Sequence, residues 1–214
     1  MSTSKSQRIG IWIIAVVLAI GTIGSFFVVI VANDNNANDQ AKLQDLQNKY
    51  NERVKDYQAK VAAQSDELSS KYYDTFNQYS DRVSEFDGEA VNKQTDVTIE
   101  DLLVGEGEEI KDGNYRTYYI GWTSDGKIFD QSINNGKLKA PFDPSQGTIS
   151  GWSDGTKGMK IGGVRMITMP SEKGYGTGGN GNIPPNAALR FVVMAIPAPE
   201  TIPEPNLDGL VPKE

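Results

Sequence analysis

YYIGWTSDGKIFDQS, residues 118–132, is the stretch on which the reading of this chain turns. A bulky run from Tyr118 to Trp122 is followed by Asp125-Gly126 and then by a second apolar run that begins at Ile128. An Asp-Gly between two apolar runs is the strongest short-range hairpin signal, because glycine accepts the positive φ that such a turn needs. The hairpin explains the turn. It leaves the adjacent pair Phe129-Asp130 for the rest of the chain to explain.

Composition removes several kinds of chemistry at once. Among 214 residues there is no Cys and no His. A disulfide framework, a thiolate or imidazole metal site, a cysteine nucleophile and the usual general base are therefore all absent. Carboxylates, Lys, Tyr and hydroxyls are what remains for proton transfer, and catalysis by binding and desolvation gains by elimination. No metal and no cofactor is expected.

Residues 9–32, IGIWIIAVVLAIGTIGSFFVVIVA, are 24 residues without a charge. That exceeds the roughly 20 needed to span a bilayer and is long for a signal-peptide core. Lys5 and Arg8 precede the segment while Asp34 and Asp39 follow it. The positive-inside rule then puts residues 1–8 in the cytoplasm and the rest of the chain on the extracytoplasmic face of a cytoplasmic membrane, in bacterial fashion. A cleaved signal is the competing reading, and Ile30, too large for the position three residues before a cut after Ala32, argues against it. Without Lys5 and Arg8 the exported part holds 19 basic against 28 acidic residues, a net charge of −9. Nucleic acid is not an expected partner of such a surface.

Three regions succeed the anchor. Residues 33–40 form a polar linker; NDNNAND within it has the wrong residues at the turn and bidentate positions of a calcium loop. From Ser25 through Asp87 the chain runs 63 residues without Gly or Pro, and apolar residues from Leu43 through Leu68, Tyr72, Phe76, Tyr79 and Val83 to Phe86 recur at steps of three, four or seven. That period predicts an amphipathic helix over residues 41–87, supported by pairs such as Asp45 with Lys49 and Asp56 with Lys60. The stripe is rich in Tyr and short of Leu and Ile, so it suits a stalk or weak coiled coil, open to self-association, better than a leucine zipper. A single helix from Ala41 to Phe86 would hold the next domain roughly 70 Å from the membrane. The alternative is a helical hairpin that turns near residues 63–70.

The third region begins near Gly88, and 19 of the 22 glycines lie from Gly88 onward. Val97 to Val104, Tyr115 to Trp122, Val164 to Met169 and Leu189 to Ile196 read as strands, with turns at Asp125-Gly126 and Gly162-Gly163. The expectation is a compact, mostly antiparallel domain over residues 91–197, with Ser150 as N-cap of one short helix. Residues 198–214 form a Pro-rich tail without a core of its own.

GYGTGG, residues 174–179, matches a dinucleotide fingerprint, but the GNIPP beyond it prevents the helix such a site requires. A loop beside a binding site is the better reading. Taken together, YYIGWTSDGKIFDQS, APFDPSQGTISGW and GYGTGGNGNIPPNAALRF resemble the FKBP-type peptidyl-prolyl isomerases in order and nearly in spacing, over residues 95–196. The resemblance implies an α+β fold, an antiparallel sheet wrapped around a short helix, here preceded by the long amphipathic helix and the transmembrane helix. It further implies an aromatic cup. Trp152 is its floor, Tyr119, Phe129, Phe142, Ile183 and Phe191 are its walls, the Ile149 backbone N–H and the Tyr175 hydroxyl are donors to substrate, and Asp130 is its polar edge. Implied with it are proline-containing segments of exported proteins as partners, and macrolides as ligands. The loop of residues 175–184, one residue shorter than is common in the family, and the insertion INNGKLKA bear on substrate preference at the rim.

A chain without histidine suits this chemistry. Rotation about an Xaa-Pro bond faces a barrier of about 18 to 20 kcal/mol because amide resonance must break, and no covalent step is required. A dry pocket favours the twisted amide, whose charge separation is smaller than that of the planar one. Two rivals remain: a tethered domain that grips proline segments without turnover, as an adhesion or scaffold protein, and an oligomerising or client-holding chaperone in which the helical region is the working part.

Overall fold

A computed structural model describes residues 37–206, residue 112 excepted. The expected anchor of residues 9–32, its cytoplasmic flank and the end of the tail fall outside that range. Among the described residues no helix is long and apolar enough to cross a membrane. The described residues group into two units, 62–201 on one hand and 37–61 with 202–206 on the other.

Helix α1 (Ala37–Asn77) is continuous over 41 residues, so the alternative of a turn near residues 63–70 is excluded. In the part before Ala62, Lys49 pairs with Asp45 at 2.6 Å and Lys60 with Asp56 at 2.7 Å, both one turn apart. There too Arg53 Nη1 donates to the Asn206 carbonyl at 3.0 Å.

The helix stops ten residues short of the expected residue 87. No Gly or Pro marks the place. The Ser80 hydroxyl donates to the Asn77 carbonyl at 2.7 Å, a 3-10 turn runs over Ser80–Arg82, and Val83 is extended. The reason lies in tertiary packing. Leu68, Tyr72, Tyr73, Phe76, Tyr79, Val83 and Phe86 all pack on the sheet, and the last of them reach it only if the chain leaves the helix. Helix α2 (Gly88–Asn92) then starts from Asp87, whose carboxylate accepts from Ala90 N–H.

The sheet has five antiparallel strands in the order β1-β6-β7-β2-β3. They are β1 (Thr98–Leu103), β2 (Tyr115–Thr123), β3 (Ile128–Gln131), β6 (Val164–Met169) and β7 (Leu189–Pro197). A separate small hairpin joins β4 (Ile133–Asn134) to β5 (Lys137–Leu138) through Asn135 and Gly136, both at positive φ. Helix α3 (Ser150–Thr156) is the short helix that the sequence predicts. Its N-cap is Ile149, one residue earlier than expected, and no side chain caps it. Ser150 is the first helical residue, and its hydroxyl is turned to the Lys173 carbonyl at 3.4 Å.

Successive residues of a strand face opposite sides of a sheet, and here both sides are apolar. Tyr118, Ile120 and Trp122 of β2, with Val192, Met194 and Ile196 of β7, form one core around Phe76. Ile167 and Met169, Leu189, Phe191 and Val193 face the other way and surround Trp152 of α3. Residues 68–86 therefore cover one face of the sheet and α3 covers the opposite face. The cover is pinned by polar contacts as well: the Trp122 indole N–H donates to the Ser84 carbonyl at 2.9 Å, and Phe86 N–H to the Ser124 carbonyl at 2.9 Å.

This packing sets two expectations. Phe76 is fully buried, so Phe76→Ala leaves a cavity and lowers the free energy of unfolding by about 3–5 kcal/mol in a guanidinium titration. Tyr118 is also fully buried, and its hydroxyl has no hydrogen-bond partner among the described residues. Burial pushes its phenol well above the ordinary 10.0, with Tyr72 adding in the same direction. The unfolded chain then ionises near pH 10 while the folded chain resists, so this contribution to stability is intact below pH 10 and lost as pH rises above it. Tyr118→Phe removes an unpaired buried hydroxyl; it is expected to leave stability at pH 7 unchanged or raised, and to make the alkaline fall in Tm shallower.

Candidate active site

The site begins with a one-residue irregularity. β2 pairs with β3 as Gly121 with Asp130 and then Trp122 with Ile128, so Phe129 is an extra residue in β3, a β-bulge. In a regular strand Phe129 and Asp130 would face opposite sides. The bulge lets both serve the α3 side: Asp130 by its pairing with Gly121, Phe129 by stacking edge-on against Phe191 with ring centres 5.5 Å apart. The adjacency of Phe129 and Asp130 in the sequence is the mark of this bulge. Gly121 is required beneath it. A Cβ there would lie 2.7 Å from ring atoms of both Phe129 and Phe191.

The turn that returns β3 to β2 is as the Asp-Gly pair predicts. Gly126 has φ 73°, and Asp125 accepts from the Thr123 hydroxyl and the Lys127 N–H. The Thr123 hydroxyl holds the exposed Asp125 carboxyl below its usual range.

Trp152 comes from α3, which lies close against β6. A Cβ on Gly155 would meet Ile167 Cγ2 at 2.4 Å, so only glycine permits this approach. The same C-terminal end of the helix is also held electrostatically. Arg165 is almost wholly buried; its guanidinium donates to the Gly155 and Lys157 carbonyls at 3.0 and 2.9 Å and pairs with Asp101 of β1 at 2.6 Å. A cation at the C-terminal carbonyls suits the helix dipole, and the carboxylate of Asp101 compensates the buried charge.

Three rings meet around Trp152. Tyr119 and Trp152 are perpendicular at 5.5 Å, Phe142 and Trp152 lie edge-on at 5.6 Å, and so do Trp152 and Phe191 at 5.6 Å; Tyr119 and Phe142 close the set at 5.8 Å. Such edge-on pairs fix ring orientations as well as filling space. Phe142 is fixed by two backbone bonds to Thr117 on β2, at 2.8 and 2.9 Å. Ile183, 6% exposed, and the half-buried Ile149 and Tyr175 pack on the same group. The polar edge is Asp130, which accepts the Tyr119 hydroxyl at 2.6 Å on one oxygen and Gln131 N–H at 2.9 Å on the other, with Lys139 Nζ 4.0 Å away.

All nine residues expected at the cup thus contribute to one cluster or its polar edge. Sequence reasoning missed Gly121, Gly155 and Arg165, which hold the others in place. A glycine amid the bulky run at residues 118–122 was the available signal for the first. Nothing in the sequence marks Arg165, whose partner Asp101 is 64 residues away. Among the described residues no group of His, Cys, Asp or Glu is arranged to hold a metal.

A family model and curated relatives match this part of the chain. Residues 106–196 match the family described as FKBP-type peptidyl-prolyl cis-trans isomerase. The FK506-binding protein of Neisseria meningitidis serogroup B is 43% identical over 100 residues, covering 44% of this chain and 89% of that protein. The probable FK506-binding protein of Corynebacterium glutamicum is 38% identical over 105 residues, covering 48% and 87%. Among solved structures, the crystal structure of AtFKBP13 is 32% identical, covers 47% of this chain and 90% of its own, and has a TM-score of 0.40.

Gly121→Ala tests the seat of the cup. The added methyl forces the Phe129 and Phe191 rings apart, at a cost of about 1–3 kcal/mol in stability. The aromatic ring resonances of Phe129 and Phe191 in NMR spectra shift, whereas those of Phe76, on the other face, do not.

Proposed function

This chain belongs to the FKBP-type peptidyl-prolyl cis-trans isomerase family, and from that membership we propose that it rotates Xaa-Pro bonds of exported proteins in the cup around Trp152. The observation that carries the reading is the edge-on set of Tyr119, Phe142, Trp152 and Phe191 beside a carboxylate already bonded to Tyr119. An apolar floor takes the proline ring. The polar edge stays outside it.

In this reading Trp152 lies under the ring, the Ile149 N–H and the Tyr175 hydroxyl hold substrate carbonyls, and Phe129, Ile183 and Phe191 complete the wall. No proton moves and no bond is made. The cup excludes water from an amide whose twisted form carries less charge separation than its planar form, so the twisted form gains relative to the ground state. Lowering the barrier by about 5 to 8 kcal/mol accelerates rotation roughly 10⁴- to 10⁶-fold. The same cup would accept a macrolide.

Anchoring in a membrane is part of the proposal. It is supported by the 24 uncharged residues 9–32 and by Lys5 and Arg8 before them, with Asp34 and Asp39 after. In that arrangement the isomerase serves proteins emerging on the far side, whose slow proline steps otherwise take tens to hundreds of seconds.

The test is exchange NMR on an Xaa-Pro peptide with the full chain in detergent. The chain is expected to accelerate exchange, and Trp152→Ala and Asp130→Ala to reduce the acceleration at least about 10-fold while the protein stays folded. Binding of the peptide with no change in its exchange rate would instead make the domain a proline-segment grip.

A further inference from the structure

The small hairpin β4–β5 stands between two residues of the cup, following Asp130 and preceding Phe142 in the chain. It is held by α1, the helix whose Phe76 covers the sheet face opposite Trp152.

Two polar contacts make this link. Lys137 Nζ reaches Asp66 at 2.9 Å, but both side chains are about two-thirds exposed, and such pairs contribute little. The second is different. Leu138 N–H donates to the Ser69 hydroxyl at 2.9 Å, and both residues are 4% exposed. Removing that oxygen leaves a desolvated N–H without a partner, which costs more than a surface pair supplies. Around these contacts an open polar cleft bordered by Ser70, Tyr73 and Asp74 lies between α1 and the hairpin. Ser69 is therefore the point at which the hairpin is fixed, together with the buried Leu138 side chain beside it.

From Leu138 an unbroken set of bonds leads to the cup. Lys139 N–H donates to the Ser132 carbonyl at 2.9 Å, and Lys139 Nζ to the Gln131 carbonyl at 2.6 Å, 4.0 Å from Asp130. Ser132 in turn exchanges two bonds with the Tyr119 backbone, donating from its N–H at 2.7 Å and accepting on its hydroxyl at 2.9 Å. Tyr119 and Asp130 are the pair joined by the 2.6 Å hydrogen bond at the cup's polar edge.

We propose that Ser69 is a positioning residue for the isomerase site: by fixing Leu138 it sets the hairpin base, and with it the Tyr119–Asp130 edge and the Lys139 ammonium against which residues flanking the substrate proline bear. This rests on the isomerase reading above. The consequence is specific. Loss of the Ser69 hydroxyl loosens the rim while the floor formed by Trp152 is left in place, so it raises KM and blurs discrimination among residues preceding proline more than it lowers kcat.

The experiment uses the full chain in detergent and a set of Xaa-Pro peptides that differ in Xaa. Ser69→Ala, Ser69→Thr and Leu68→Ala are compared, with activity expressed per folded molecule from the unfolding curve of each. Leu68 packs on the sheet core and has no bond to the hairpin, so Leu68→Ala reports what loss of stability alone does. Ser69→Ala is expected to raise KM about 3- to 10-fold and narrow the spread of kcat/KM across Xaa, with Ser69→Thr restoring both and Leu68→Ala changing neither. If Ser69→Ala only lowers Tm, with the KM and Xaa preference of the unaltered chain, Ser69 is structural and the proposal is wrong. If the unaltered chain gives no acceleration at all, the isomerase reading fails and the positioning role of Ser69 fails with it.

Discussion

The constraint on which everything else rests is that β2 is apolar on both sides. Tyr118, Ile120 and Trp122 point one way, Tyr119 points the other, and none of the first three is exposed at all. A half-covered sheet would leave one of these sets in water, at about 25 cal/mol for each Å² of apolar surface exposed. The fold answers with two covers. α3 closes the side that holds the cup, and the end of α1 with the segment to Phe86 closes the other. The cup is accordingly one half of a two-sided core, and its wall strand is braced from behind by Phe76.

Bracing of this kind matters for a site that works by shape. Nothing in the proposed reaction is supplied by a proton donor or a metal, so what the protein contributes is an unyielding apolar surface with a few fixed polar groups. The edge-on ring contacts, the bulge at Phe129 and the buried Arg165 at the end of α3 all remove freedom from that surface. The absence of His and Cys from the sequence is consistent with a site of this kind, because neither has a role in it.

Much of this was legible in the sequence, and what was not has physical causes. Val164–Met169 matches its expected bounds, and β2 and β7 differ from theirs by one residue, since their β-branched and aromatic runs end at Gly, Pro or Asp-Gly signals. The aromatic set of the cup came from the family resemblance that three motifs carry. Less visible was the end of α1 at Asn77: the apolar period continues through Phe86, and periodicity cannot say whether a stripe lies along a helix or leaves it to follow a sheet. For the same reason Tyr72 and Phe76, read as part of a stalk, turned out to line a core. The bulge was hidden because its evidence, two adjacent residues needed on one face, appears only once the register of β2 with β3 is known. Asn135-Gly136 did carry the signal of a second hairpin; it was obscured by being read as a rim insertion.

The boundary of the folded unit is set by this second cover. Comparing residues 62–201 with residues 91–201, which start where the sequence places the start of the domain, tests the central claim most directly by amide hydrogen exchange and thermal unfolding. The account predicts one cooperative transition for the longer fragment, with β2 and β7 amides among the slowest to exchange. The shorter one, with Tyr118, Ile120 and Trp122 uncovered, should melt much lower and lose that protection. Equal Tm and equal protection in the two fragments would contradict it, showing that the sheet does not need its second cover.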